Sequence, residues 1–410
     1  MNKEKHQISV GRKPTFFERA CTNVVINLFE KIEKGGLTCR FPDGSERHFG
    51  DRNSQLQARM TINDHGFFKE AVLGGDIGLG EAYMKGVWDT DDIPRLFSVL
   101  IKNRQALADG HLVTAWLMLQ KDRLMHALRA NTIIGSRKNI GEHYDLNNDF
   151  FKTFLDPTML YSCGFYQTKD NTCEEAQLGK IHRIIEKAGI TSSDNVLEIG
   201  CGWGGFALEA VKTTGCHITG ITVSSEQYEL ARQRVKQAGL DDKITILFQD
   251  YRRVTGLFDK IVSIEMLEAV GHRYLGTFFK TCDQLLKPAG RLVIQVITIP
   301  DQSYETYRHK SDWIKKYIFP GGHLPSVTAL SSAVTKNTGL LMEQLEDIGI
   351  HYARTLKDWR EKFLNNVDKI RELGFDDVFR RKWVYYLATC EAGFRERAIG
   401  DIQVVFRKPA

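Results

Sequence analysis

One acid and a run of glycines stand close together in Glu198-Ile199-Gly200-Cys201-Gly202-Trp203-Gly204-Gly205. Gly200, Gly202 and Gly205 satisfy the spacing G-x-G-x-x-G. That spacing alone says only that the chain turns tightly and lies against something, since glycine removes the side chain that would keep backbone and ligand apart. A dinucleotide site would add an acid at the end of the next strand to hold a ribose. Here that strand ends Gly220-Ile221-Thr222-Val223-Ser224-Ser225, and no acid follows before Glu226. The acid instead precedes the turn, at Glu198, inside the tip of the first strand, where a carboxylate can serve a cationic ligand. A βα turn that binds nothing is the plain alternative. A second acid, Glu268, lies in Glu265-Met266-Leu267-Glu268-Ala269-Val270-Gly271, just past the fourth strand. Open α/β sheets place their sites there, although a helix cap would use the same residue type.

The elements that would hold these residues alternate cleanly from about 173 onward. A helix at 173–189 precedes strand 195–199, and a helix at 204–213 precedes strand 216–223. A helix at 225–239 precedes strands 243–248 and 260–266, and a helix at 273–286 precedes strand 291–299. Such alternation predicts an α/β, doubly wound, mostly parallel sheet. The last segment, 401–408, has too little chain left for a crossover, so it is expected to enter antiparallel at or near the sheet edge. Before this, an amphipathic helix at 15–34, strands at 37–41 and 58–62 and two further helices suggest a small α+β domain. The expected division is 1–110 for that domain, 111–140 for a basic helical linker and 141–410 for the catalytic domain.

Composition narrows the classes. The 410 residues are 42% hydrophobic and 26% charged, as in ordinary globular proteins. No long uncharged apolar run appears and the N-terminus lacks a secretory core, so a cytosolic address is expected. The eight cysteines form no CxxC pair, so free thiols and no metal site are expected. The net charge of +5 is modest, and no nucleic-acid partner is expected. Residues 101–140, however, carry seven Lys or Arg against Asp109 and Asp122, interleaved with Leu112, Trp116, Leu124 and Leu128. They suit either a linker docked on both domains or a basic amphipathic surface that meets anionic lipid.

The placement of Glu198 resembles the E-x-G-x-G-x-G pattern of S-adenosylmethionine-dependent methyltransferases. Further segments resemble one group of them, the cyclopropane-fatty-acid synthases and their mycolic-acid-modifying relatives. They are Gly141-Glu142-His143-Tyr144-Asp145-Leu146-Asn147-Asn148, Tyr161-Ser162-Cys163, Gly220-Ile221-Thr222-Val223-Ser224 with Glu226-Gln227, Gln249-Asp250-Tyr251-Arg252, Tyr317-Ile318-Phe319-Pro320-Gly321-Gly322, and Glu391-Ala392-Gly393-Phe394-Arg395. Gly78-Leu79-Gly80-Glu81-Ala82-Tyr83-Met84 and Gly86-Val87-Trp88 resemble the N-terminal domain of the full-length bacterial members. The likeness covers nearly the whole chain and implies a class I methyltransferase sheet.

It also implies a chemistry. The alkene of a cis-unsaturated phospholipid acyl chain attacks the sulfonium methyl, and the carbocation formed loses a proton to a bound bicarbonate as a cyclopropane closes. By resemblance, Cys163 (through its backbone), Glu268, Ile297 (through its backbone) and Tyr352 surround that bicarbonate, with Glu343 as a supporting acid and a raised pKa expected at Glu268. The best-known bacterial pattern has His where this chain has Gln295. An amide can hold an oxyanion but cannot titrate near neutral pH. Tyr161 and Ser162 would flank the methionine part of the cofactor, with Gly200 and Gly202 beneath it. Thr222 and Gln227 would take the ribose, and Gln249 and Asp250 the adenine. His143 and Tyr144 would order a loop over the cofactor. A lipid substrate favours bilayer contact by 101–140 or the N-terminal helix, hence a peripheral enzyme on the inner membrane face, and the resemblance implies a homodimer. The alternatives are a methylene- or methyl-branched product, a small-molecule N- or O-methyltransferase, and a membrane-binding module without activity.

Overall fold

The computed structural model describes residues 13–108 and 147–410. Most of the basic stretch at 101–140, the proposed linker at 111–140, and His143 and Tyr144 lie outside the described residues. The rest forms two compact units. One comprises 13–108 with Ser311–Lys316 and Val367–Ala398, and the other comprises 147–310, Tyr317–Asn366 and Ile399–Ala410.

In the first unit a helix, Phe16–Phe29, begins at a capping box in which Thr15 and Glu18 satisfy each other's backbone N–H groups. Strands β1 (Gly36–Arg40), β2 (Glu46–Gly50), β3 (Gln57–Ile62) and β4 (Trp88–Asp89) form a sheet of order β2-β1-β3-β4. The turn Pro42-Asp43-Gly44-Ser45 sets β2 antiparallel to β1, and β3 runs parallel to β1. The Gly-rich helix Gly66–Met84 packs on the same unit. There a Cβ at Gly80 would stand 2.3 Å from the Trp313 ring, so this glycine makes room for the indole. Helix Asp377–Arg395, far along the chain, brings Tyr385 against Tyr83, Phe97 and Trp313. The contacts thus group 311–316 and 367–398 with the N-terminal unit, inside the stretch expected as one continuous catalytic domain.

The second unit carries β5 (Asn195–Ile199), β6 (His217–Thr222), β7 (Ile244–Phe248), β8 (Phe258–Ile264), β9 (Leu286–Thr298), β10 (Leu341–Asp347) and β11 (Gly400–Arg407) in the order β10-β11-β9-β8-β5-β6-β7. β5 pairs in parallel with β6 and β8, and β9 in parallel with β8. β11 runs antiparallel to both β9 and β10. The sheet is therefore mostly parallel with one antiparallel strand, as the alternation of elements predicts. Val196, Leu197, Ile261, Val262, Val293 and Ile294 are buried between helical layers, which explains the continuous apolar runs of the central strands. Chain order reverses between β5 and β8, and a crevice opens there beyond their carboxyl ends.

Candidate active site

The glycine turn leaves β5 at that crevice. The N–H groups of Gly200 and Cys201 both donate to Ile221 O at 3.0 Å, folding the turn back on the end of β6. Gly200 has φ +83, and a Cβ there would lie 2.8 Å from Met266 Cγ, so the position has neither the backbone nor the space for a side chain. The cavity above the turn, about 160 Å³ and open to solvent, is lined by all nine residues assigned to the cofactor: Tyr161, Ser162, Glu198, Gly200, Gly202, Thr222, Gln227, Gln249 and Asp250.

Their hydrogen bonds suit that task. Thr222 Oγ1 donates to Gln227 Oε1 at 2.8 Å, and both side chains are buried, so Gln227 is no solvated first-turn residue. Gln249 N donates to Thr222 O, which ties the ends of β6 and β7 together. The Asp250 carboxylate accepts from Arg252 Nε at 2.8 Å and from its terminal nitrogen at 2.7 Å. Burial pushes the Glu198 carboxyl up to about 8, and its Oε2 has no hydrogen-bond partner among the described residues. An unpaired buried carboxylate oxygen beside the glycine turn fits the cationic methionine portion of S-adenosylmethionine, because a cation there restores the charge balance that burial denies it.

A second constellation opens on the same cavity. The Glu265 carboxylate, just past β8, accepts from Cys163 N at 2.7 Å, from Gln295 Nε2 at 2.8 Å and from the Tyr352 hydroxyl at 2.7 Å. Gln295 Nε2 also donates to Asp401 Oδ2 at 3.0 Å, and Gln295 Oε1 accepts from Gln403 Nε2 at 3.1 Å. Beneath them Lys180 is fully buried on helix Cys173–Ala188, its Nζ against Ser162 Oγ. Burial lowers the Lys180 pKa, while Glu265, Cys163, Asp156 and Asp401 act to raise it. Burial raises the Glu265 carboxyl against the pull of Lys180 and its three donors. Asp401 is held well above the carboxylate range by burial and by Glu265. Glu268 is pushed up to about 8 by burial and then by Glu265, so it is mostly protonated at neutral pH. Its Oε1 accepts from Ile297 N, and its Oε2 is buried without a partner among the described residues. Burial holds the Cys163 thiol well above its usual range, and it is the Cys163 backbone N–H that donates to Glu265.

The structure thus gathers Cys163, Glu268, Gln295, Ile297 and Tyr352, all inferred from sequence. It does not bring Glu343 to them. Glu343 lies on β10, paired with Arg407 Nε at 2.6 Å and Arg291 Nε at 3.2 Å. Arg291 is opposite Arg407 within β9, six residues before Ile297. The supporting acids are instead Glu265 and Asp401. Neither they nor Lys180 can be read from sequence, because nothing in the spacing of an acid after a strand or a Lys in a helix shows that the chain packs them together. Above the cluster Tyr161 packs on Trp359 at 5.3 Å between centroids and on Phe151 at 5.5 Å, Tyr352 stands 6.1 Å from Trp359, and Phe319 lies 6.4 Å from Tyr161. Such a wall offers π faces to a cation.

Residues 132–404 match the family model described as mycolic acid cyclopropane synthetase. The chain is 42% identical over 328 residues to tuberculostearic acid methyltransferase UfaA1 of Mycobacterium tuberculosis, covering 78% of this chain and 76% of that one. It is 37% identical over 358 residues to the cyclopropane-fatty-acyl-phospholipid synthase of Escherichia coli, covering 87% and 89%. The solved structure of mycolic acid cyclopropane synthase CmaA1 complexed with SAH and CTAB superposes with a TM-score of 0.63 at 31% identity, covering 66% of this chain and 98% of that one. With the glycine turn, the cavity residues and the buried acids in place, the chain belongs to the mycolic acid cyclopropane synthetase family and is an S-adenosylmethionine-dependent methyltransferase.

Proposed function

We propose that this enzyme methylates the cis double bond of unsaturated phospholipid acyl chains and that ring closure yields a cyclopropane fatty acid. The observation that carries this reading is a pair of acids at one place, Glu265 lining the cavity that the glycine turn floors and Glu268, its carboxyl buried, three residues on. A heteroatom methyltransferase acts on a nucleophile that brings its own electron pair. An alkene leaves a carbocation that must be shielded from water and then deprotonated, which needs a dry wall and a base. Tyr161, Phe151, Trp359 and Tyr352 supply the wall. When bound, S-adenosylmethionine supplies the electrophilic methyl. Glu198, Tyr161 and Ser162 would hold its methionine end, and Thr222, Gln227, Gln249 and Asp250 its nucleoside.

Two observations favour a second product. The tuberculostearic acid methyltransferase shares 42% identity with the chain, and Gln295 stands where the bacterial cyclopropane pattern has His. Proton loss from a chain carbon instead of the new methyl would give a methyl-branched olefin, and a 1,2-hydride shift followed by proton loss from the methyl would give a methylene-branched acid. Lipid mass spectrometry after expression in a host lacking its own synthase decides, because both products gain one CH2 but only the branched one keeps an olefin. Unchanged host lipids would sink both readings.

The substrate places the enzyme at a bilayer surface. Among the described residues no helix is long and apolar enough to cross a membrane. The first helix exposes Phe16 (90%) and Phe17 (50%), as an interfacial contact would. A homodimer, implied by the resemblance, also belongs to this proposal. Bicarbonate does not fit the site. Of the donors expected to hold it, Cys163 N, Gln295 Nε2 and Tyr352 OH go to Glu265, and Ile297 N goes to Glu268.

A further inference from the structure

We propose that Glu265 is this enzyme's own proton acceptor, a carboxylate of the chain seated where a dissolved anion would otherwise bind, so that turnover needs no bicarbonate. The inference rests on the alkene reading above. Three convergent donors are a receptor for a planar oxyanion, and the Glu265 carboxylate fills it, accepting from Cys163 N, Gln295 Nε2 and Tyr352 OH. Glu265 also lines the cofactor cavity, which on the alkene reading sets it beside the reacting atoms as well as its donors.

The backbone gives independent support. Glu265 has φ +47, in the left-handed region that favours glycine and costs an ordinary residue energy. A chain needing only a turn after β8 would place glycine here. Strain of this kind gathers at functional positions, where the surroundings fix one side-chain direction. Gln295 holds the carboxylate on one side and Asp401 on the other, and Gln403 fixes which face of the Gln295 amide donates. Asp401 shares the Gln295 Nε2 donor with Glu265, so a captured proton has a second buried carboxyl beside it.

In the step assigned to Glu265, one C–H bond of the methylated, cationic acyl chain breaks. Its electron pair stays on carbon, closing the cyclopropane or forming the branched olefin. The proton goes to a Glu265 carboxylate oxygen and returns to solvent before the next turnover. Gln295 and Tyr352 are positioning residues for that oxygen.

The test compares wild type, E265G and E265Q in buffers stripped of carbon dioxide and in buffers with added bicarbonate. It reads lipid product and, separately, 13C-bicarbonate binding to the complex with S-adenosylhomocysteine. Wild type is expected to turn over equally in both buffers and to bind no bicarbonate. E265G, whose backbone is relaxed by the change, should lose about 10²–10⁴-fold of activity in stripped buffer. It should also bind bicarbonate and recover part of its rate when the ion is added. E265Q keeps the slot filled and should be neither active nor rescued. Wild type that needs or binds bicarbonate, or an active E265Q, overturns the proposal. If wild type makes no lipid product, the alkene reading fails, and the binding measurement still decides whether Glu265 occupies the anion slot.

Discussion

The Tyr352 hydroxyl donates to Glu265 Oε2 across 2.7 Å, linking helix Gly349–Asn365 to the turn after β8. The bond is partly buried, so little water competes for it, and it is charge-assisted when Glu265 is ionised, as a proton acceptor must be. Tyr352→Phe removes the donor and leaves the ring in place against Trp359. A hydrogen bond to a charged group is worth about 1.5–3 kcal/mol, so product formation should fall about 10- to 100-fold. S-adenosylhomocysteine affinity, measured by calorimetry, should stay within about twofold, because Glu198 and Gln227 line the cofactor cavity and Tyr352 does not. A loss of affinity as large as the loss of rate would move Tyr352 into the cofactor site.

Lys180 is the cation acting on Glu198, Glu265 and Asp401 alike. Removing one partner of a buried ionic cluster leaves uncompensated charge, which costs about 3–5 kcal/mol. Lys180→Met should therefore lower stability by about that amount at pH 8. The loss should shrink towards pH 5, because the stranded carboxyls can take up protons instead. Urea denaturation at both pH values checks this, and a deficit independent of pH would show that Lys180 contributes through packing.

Much of this unit is readable from sequence, because the central strands β5, β6, β8 and β9 are short apolar runs separated by helices of regular period. Gln249 and Asp250 follow from a motif at a strand end in the same way. β10 escapes such reading. It lies at the sheet edge with Leu341, Met342 and Leu345 exposed, so no face of it is marked by burial. Glu343 on that strand pairs with Arg407 and Arg291 instead of joining the cluster, and sequence does not show this because an acid in an exposed strand looks like any other acid. Glu265, Lys180 and Asp401 come from a turn, a helix and the last strand, so only tertiary packing brings them together. No local pattern distinguishes a lysine that folding will bury completely from one left in water. Helix Asp377–Arg395 shows the same limit, as nothing local to it says which unit receives it.

Glu198 and Glu268 each titrate near 8 in the folded chain, raised chiefly by burial, against about 4.3 for a carboxyl in an unfolded chain. Between those values the folded protein keeps a proton that the unfolded chain has released. Stability must then fall as pH rises through that window and level off above it. For one such group the slope approaches about 1.4 kcal/mol per pH unit. Glu268→Gln keeps an oxygen to accept from Ile297 N and cannot ionise. Its stability relative to wild type should rise from pH 5 to pH 8 and then stay constant. A relative stability that is flat across the range would mean that Glu268 ionises in the folded protein much as it does in water.

Gly200 and Gly202 share a motif but answer to different constraints. Gly200, at φ +83, would bring a Cβ within 2.8 Å of Met266, whereas Gly202, at φ +52, would meet no protein atom within 4 Å. Gly200→Ala must push Met266 aside as well as strain its own backbone, so it should lower the melting temperature and impair cofactor binding together. Gly202→Ala carries only the backbone strain of a left-handed residue, about 1–2 kcal/mol. Its methyl lies in open space at the edge of the cavity. It should therefore melt only slightly below wild type while losing at least tenfold in S-adenosylhomocysteine affinity. Equal affinity in Gly202→Ala and wild type would show that the ligand does not approach the backbone at this glycine. The approach that motivates the G-x-G spacing would then be confined to Gly200.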